Sequence, residues 1–257
     1  MIILITESKT MSDAGIDIAP ATYASRKPIM EPQAEAIMDD MRGWTAEEFA
    51  LRIGISIKLA RYMQQCVYDF PNKASGLEAI EAFTGVVFRA VGYSSLTADA
   101  KRLASGRLLI MSSLYGLLRA DDIVKPYRLG FGAKLGEPFT PLWKYWKLKC
   151  TVALVKMLRE RGESEVLNLM PADASKCFDW KVIKSNARVV IPLFREMTER
   201  GEMRTPPAGR LKEARGRMVR DILEHRIATS RLLRDADTDS RCYYGESEYE
   251  DYPLFLV

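Results

Sequence analysis

The chain has 257 residues, 47% of them hydrophobic and 28% charged, with a formal net charge of +4 and a single histidine. Those proportions suit a globular chain with a substantial core and exclude a disordered or collagen-like one. No apolar run approaches the ~20 residues that a membrane helix needs, and the opening MIILIT is too short for a secretory signal core, so a soluble, cytoplasmic protein with no membrane partner is expected.

Cys66, Cys150, Cys177 and Cys242 are scattered without a C-x-x-C, and His225 stands alone. Structural zinc wants clustered Cys and His, and ferritin-like iron sites want a repeated Glu-x-x-His, so neither a metal nor another cofactor is expected. The thiols of such an intracellular chain should stay reduced. A net charge of +4 permits a nucleic-acid partner without requiring one, because the distribution of charge decides.

Ile2 to Ile5 is predicted to be a buried strand that ends in Thr6, Glu7, Ser8, Lys9 and Thr10. Hydroxyls and a lysine just past a buried strand suit a phosphate or another small anion, although the P-loop spacing is absent and a solvent-facing Lys9 satisfies the same residues. Residues 12 to 32 read as loop from Gly15, Pro20, Pro28 and Pro32. Pro32 then opens a helix through Gln33 to Met41.

Thr45 to Asp69 reads as two short helices about a tight turn. Thr45 and Glu48 have the capping-box spacing, Gly54 interrupts the run, and Ser56 is placed to cap a second helix carrying Lys58 and Ala60. Gly54, Lys58 and Ala60 fit the helix-hairpin-helix pattern G-h-G-x-K-x-A, with Ser56 in place of its second glycine. Such a turn aims backbone N–H groups at a DNA phosphate, with little sequence preference. An ordinary αα-hairpin accounts for the same residues.

Pro71 and Asn72 break the chain before a short helix from Leu77 to Phe83. Val86 to Val91 fits strand or helix, and the spacing to Tyr93 and Leu96 favours helix. Thr97 caps a further helix through Ala104, which Gly106 is expected to stop. Leu108 to Met111 is a second buried strand, and polar chemistry begins where it ends: Ser112, Ser113, Tyr115, Gly116, Arg119, Lys125, Tyr127 and Arg128, with Gly130 and Gly132 leaving room for backbone approach. In open α/β sheets ligands collect beyond the carboxyl ends of strands. Cations interleaved with phenols suit an anionic partner carrying flat rings. Equally, Arg119 can pair with Asp121 or Asp122 while the tyrosines pack.

Leu142 to Glu160 is predicted as a long amphipathic helix burying Trp143, Trp146, Leu148, Val152, Val155 and Leu158. Val166 to Leu169 is a strand followed by Asp173, Ser175 and Lys176. Val189 to Phe194 is a strand interrupted by Pro192, Glu199 to Pro207 a turn, and Gly209 to Arg234 one arginine-dense helix with a stripe of Leu211, Ala214, Met218 and Ile222. Cys242 to Val257 reads as an acidic, aromatic edge hairpin.

LYGLLRADDIVKPYRLGFG, with LITESKTM near the start and EARGRMVRDILEHRI near the end, resembles the YaaA family of bacterial peroxide-stress proteins, and the likeness covers nearly the whole chain. It implies one compact mixed α/β domain over residues 1–257: a central sheet flanked by helices, with a helix-hairpin-helix-like element at 45–69 and a positively charged cleft. It further implies binding of duplex or four-way-junction DNA and a role in limiting iron-driven DNA damage. The match strengthens Ser8 and Lys9, carries over Lys176 and Arg215, and extends to Arg217.

DNA and anion binding are therefore expected of Ser8, Lys9, Gly54, Ser56, Lys58, Ser113, Tyr115, Arg119, Lys125, Tyr127, Arg128, Lys176, Arg215 and Arg217. The alternative is an enzyme acting on a phosphorylated or nucleobase-containing small molecule in the same cleft. No nucleophile elbow, metal quartet or carboxylate pair marks catalytic residues, so none is assigned.

Overall fold

The structure, a computed structural model, describes residues 1–12, 26–71, 76–235, 242–246 and 251–257. In chain order the elements are β1 (Ile2–Thr6), α1 (Glu31–Asp40), α2 (Ala46–Ile53), α3 (Ile57–Asp69), β2 (Leu77–Glu78), α4 (Ala79–Ala82), α5 (Val86–Val91) and α6 (Ala98–Arg107). There follow β3 (Leu108–Ser112), β4 (Gly116–Arg119), β5 (Ile123–Val124), α7 (Leu142–Arg161), β6 (Glu165–Asn168), α8 (Ala172–Ser175) and α9 (Trp180–Lys184). The chain closes with β7 (Arg188–Val190), β8 (Leu193–Met197), β9 (Met203–Arg204), α10 (Ala208–Glu224), α11 (Ser230–Asp235), β10 (Cys242–Glu246) and β11 (Pro253–Leu256).

A five-stranded sheet in the order β4-β3-β1-β6-β7 forms the centre of this mixed α/β domain. β1 pairs in parallel with β3 on one side and β6 on the other, and β6 pairs in parallel with β7. Only β4 runs antiparallel, folding back from β3 through a tight turn. Strands covered on both faces should read as continuous apolar runs, and Ile2 to Ile5 and Leu108 to Met111 are each at most 1% exposed. The chain leaves β1 toward β3 and later enters β6 on the opposite side, so the switch in strand order falls at the end of β1, where such sheets open a crevice.

A four-stranded sheet, β10-β11-β8-β9, and the two-stranded pair β2-β5 complete the strands among the described residues. One hydrophobic core joins the central strands to the flanking helices. Helix α10 packs closely on α5, which Gly216 permits: a Cβ built there lies 2.3 Å from the Val87 carbonyl oxygen.

The αα-hairpin forms as its residues dictate. The Thr45 hydroxyl accepts from the Glu48 N–H while the Glu48 carboxylate accepts from the Thr45 N–H. Gly54 ends α2 in the left-handed region at φ 73°, and Ser56 caps α3 by accepting from the Leu59 N–H at 3.4 Å.

Several boundaries differ from the sequence reading. Helix α1 starts one residue earlier than expected, with Pro32 inside its first turn, where a missing N–H costs nothing. Leu77 and Glu78 are strand rather than helix because they pair with Val124 and Ile123. Gly106 lies inside α6 instead of ending it. The polar stretch after Leu108–Met111 is partly strand, since Gly116 at φ 67° turns the chain back into β4. Pro192 separates β7 and β8 into different sheets, and the 199–207 turn contains β9. The arginine-rich helix breaks into α10 and α11 around Arg226 at φ 54°.

In α7 the buried face comprises Leu142, Trp146, Cys150, Thr151, Leu154 and Leu158, whereas Leu148 is 74% and Val152 58% exposed. β11 lies between β10 and β8, so the predicted C-terminal edge hairpin has an internal strand. Residues 13–25 of the predicted loop, Asn72 of the predicted break and residues 247–250 of the hairpin lie outside the described residues.

Candidate functional site at the end of the first strand

Because β1, β3 and β6 run in parallel, their carboxyl ends gather Glu7, Ser113 and Leu169 at one edge of the sheet. A cleft of about 740 Å³ opens there. Its lining includes residues 5–10, the start of α5, residues 129–132, and Asp173, Lys212 and Arg215. The charged groups on its walls are Lys9, Arg89, Lys212 and Arg215 against Glu7 and Asp173, and the apolar ones include Ile5, Phe88, Leu129, Phe131 and Leu169.

Glu7 occupies the floor. Its Oε2 accepts from the Ser113 backbone N–H at 2.8 Å and from the Tyr127 hydroxyl. Ser112 Oγ, fully buried, already accepts from the N–H groups of Leu114 and Tyr115 and lies 2.7 Å from Tyr127 Oη. With the Tyr127 proton directed to Glu7, Ser112 donates to Tyr127, giving a Ser112–Tyr127–Glu7 relay. Burial pushes the Glu7 carboxyl up from 4.5 to about 7, against the lowering effect of the bonds from Tyr127 and Ser113. Burial, reinforced by the Glu7 charge, holds the Tyr127 phenol well above its ordinary value, so it remains a donor. Ser113 is fully buried, and its Oγ has no hydrogen-bond partner among the described residues.

The wall beside Glu7 is built by close approach of α5. The Gly85 N–H donates to Ser8 Oγ at 3.1 Å, and a Cβ on Gly85 would lie 2.4 Å from Ser8 Cβ. Ser8 in turn donates to the Thr10 carbonyl at 2.5 Å. On the opposite wall no atom of the described residues, flanking residues aside, lies within 4 Å of a Cβ built on Gly130 or Gly132. Arg215, from α10, is half-buried; burial lowers its pKa while Asp173 opposes the shift.

Of the residues singled out by sequence, Ser8, Lys9 and Arg215 line this cleft, and Ser113 and Tyr127 support its floor. Arg128 joins the rim by donating to the Lys9 carbonyl, and its backbone N–H meets Met63 Sδ of α3 at 3.1 Å. The turn with Gly54, Ser56 and Lys58 adjoins the same wall, because the Lys134 N–H donates to the Arg52 carbonyl at 3.0 Å just beyond residues 129–132. Lys176 is exposed at the end of α8, whose preceding Pro171 also lines the cleft.

Four expected residues go elsewhere. Arg119 is ion-paired with the fully buried Asp122 and donates to the Lys27 carbonyl at 2.7 Å, so its role is structural. Tyr115 and Lys125 line a separate recess of about 370 Å³ with Phe70 and Glu31. There Lys125 donates to the Phe70 carbonyl and its own N–H donates to Tyr115 Oη. Arg217 does not line the cleft and pairs with Glu213 at 2.6 Å, one helical turn earlier. Glu7, Arg89 and Lys212 were not anticipated. For Glu7 the signal was its place directly after a buried strand, beside Ser8 and Lys9.

Among the described residues no group of three or more His, Cys, Asp or Glu side chains is placed to hold a metal ion, and no helix is long and apolar enough to cross a membrane.

Comparison with known proteins supplies the context. The chain is 29% identical over 258 residues to a UPF0246 protein of Parabacteroides distasonis, covering 100% of this chain and 99% of that one. It is 31% identical over 267 residues to one of Porphyromonas gingivalis, covering 100% of both, and 30% identical over 260 residues to one of Ruegeria sp. strain TM1040, covering 100% and 99%. The sequence model described as peroxide stress protein YaaA matches residues 1–247, so the chain belongs to the YaaA family of peroxide stress proteins.

Proposed function

We propose that this member of the peroxide-stress family binds DNA, duplex or four-way junction, in the cytoplasm and so limits iron-driven damage to it. The observation that supports this reading most is the continuity of the hairpin with the strand-end cleft. Arg128 bridges Lys9 to α3, and Lys134 ties residues next to the cleft wall to the end of α2. Lys9, Lys58 and Lys134 are all exposed along this path.

In this reading the turn at Gly54–Ser56 takes a phosphate, with Lys58 in the first turn of α3 adding charge. Lys9, Arg128, Lys176 and Arg215 follow the backbone past the cleft. Contacts of this kind position a duplex without reading its sequence, as a protective coat over many sites requires. Fluorescence anisotropy of labelled duplex and junction DNA tests it. Lys58→Ala and Arg128→Ala should each weaken binding to every sequence alike, and wild-type affinity in both variants would refute the placement.

A further inference from the structure

The cleft holds more than a phosphate track needs. Glu7 uses one carboxylate oxygen, Oε2, for the hydrogen bonds from Tyr127 and the Ser113 N–H, and among the described residues none reaches Oε1, on a residue that lines the cavity with the Ser112 and Ser113 hydroxyls nearby. A carboxylate on the floor repels a DNA backbone, so duplex binding does not account for it. Arg215 is half-buried in the same cavity, with no hydrogen bond to the protein among the described residues and only the exposed Asp173 as an electrostatic neighbour. A guanidinium with its donors unused inside a cleft is poised for an anion that is not part of the protein.

Between these groups the walls are apolar: Ile5, Phe88, Leu129, Phe131 and Leu169. The cavity of about 740 Å³ lies in the size range of small-molecule sites, which pair apolar walls with a few placed polar groups. An acceptor, apolar walls that include Phe88 and Phe131, and cations within one cavity together describe a heterocycle with an anionic tail. We propose that this cleft is a binding site for a nucleoside monophosphate whose ring N–H donates to Glu7 Oε1 and whose phosphate is held by Arg215, with Lys9 and Lys212 beside it.

Guanine and uracil carry such an N–H. The Tyr127 hydroxyl and the Ser113 N–H fix the carboxyl in place, and because it titrates near neutrality it is a stronger acceptor above pH 7 than below. The site shares Lys9 and Arg215 with the proposed DNA path, whereas Glu7 belongs to the nucleotide reading alone and the Gly54–Lys58 turn to the DNA reading alone.

Isothermal titration of the full chain with GMP and with UMP at pH 6 and pH 8 tests the proposal, with inorganic phosphate as the control for a bare anion site. Wild type should bind both nucleotides at least tenfold more tightly than phosphate. Its affinity should rise about tenfold from pH 6 to pH 8 beyond any rise seen in Glu7→Gln, which shares the contribution of the nucleotide's own second phosphate ionisation. Arg215→Ala should lose at least tenfold at both pH values, while Lys58→Ala binds nucleotide like wild type. Nucleotide affinity no better than that of phosphate, or a Glu7→Gln variant with wild-type affinity and pH profile, would overturn the proposal. Anisotropy of the same Glu7→Gln variant with duplex DNA separates the two readings: retained DNA binding with lost nucleotide binding supports both, and lost DNA binding would overturn the assignment of Glu7 to the nucleotide alone.

Discussion

Replacing Glu7 by Gln should change how stability depends on pH, in a direction fixed by the buried carboxyl. In the native protein burial raises this group from 4.5 to about 7, so over that window the folded state keeps a proton that the unfolded chain has released. Its stabilising contribution is complete below about pH 4.5, falls as pH rises toward 7, and is gone above it. A displacement of about 2.5 pH units corresponds to an upper bound of about 3 kcal/mol, of which about 2 kcal/mol is lost between pH 5 and pH 8. Glutamine keeps the shape and can still accept from Tyr127, but it carries no proton to lose. Urea denaturation of wild type and Glu7→Gln at pH 5, 6, 7 and 8 isolates the effect, because every other titrating group cancels in the difference. The variant should gain on wild type by about 2 kcal/mol from pH 5 to pH 8. Parallel stability curves would refute the buried, neutral-range carboxyl at the floor of the cleft.

Arg119→Ala should cost about 3 kcal/mol in urea denaturation, since it strips the fully buried Asp122 of its guanidinium, while leaving the DNA affinity of the folded fraction unchanged. Gly216→Val should destabilise by about 3 kcal/mol or more by forcing α10 away from α5, where the nearest atom to a new Cβ is a backbone oxygen that cannot rotate aside; a thermal midpoint equal to wild type would contradict that packing. Gly54→Ala, at φ 73° but in open space, should cost only about 1 kcal/mol, a loss due to backbone strain alone that circular dichroism melts can measure.

Local chemistry was readable wherever neighbours in the chain supply the whole cause. The Thr45–Glu48 capping box, the Gly54–Ser56 turn and the buried runs at Ile2 and Leu108 all form as their residues indicate. What escaped depends on partners far along the chain. Leu77 and Glu78 become strand only because residues 123–124 lie opposite. In α7 apolar residues lie around more than one face, so spacing alone does not show that Trp146 and Leu154 face the core while Leu148 and Val152 face out. The split at Arg226 follows no glycine or proline that sequence reasoning could have used.

For the candidate site the same division holds. Ser8 and Lys9 were found because they directly follow a strand, and Arg215 because it lies in a segment resembling the family. Lys125 and Arg128, only three residues apart, were read as one cluster, yet they serve different recesses because Tyr127 between them turns inward to Glu7. The unusual titration of Glu7 arises from enclosure by residues 105 to 120 positions away, which no local pattern encodes.

The most direct test of the proposed function is the salt dependence of duplex DNA binding. Each phosphate neutralised adds about 0.9 to the magnitude of the log–log slope. Lys9, Lys58, Arg128, Lys176 and Arg215 acting together should therefore give wild type a slope steeper than about −4, and Arg128→Ala should reduce its magnitude by about 0.9. A wild-type slope near zero, or an Arg128→Ala slope that overlays it, would contradict a phosphate-binding path between the hairpin and the strand-end cleft.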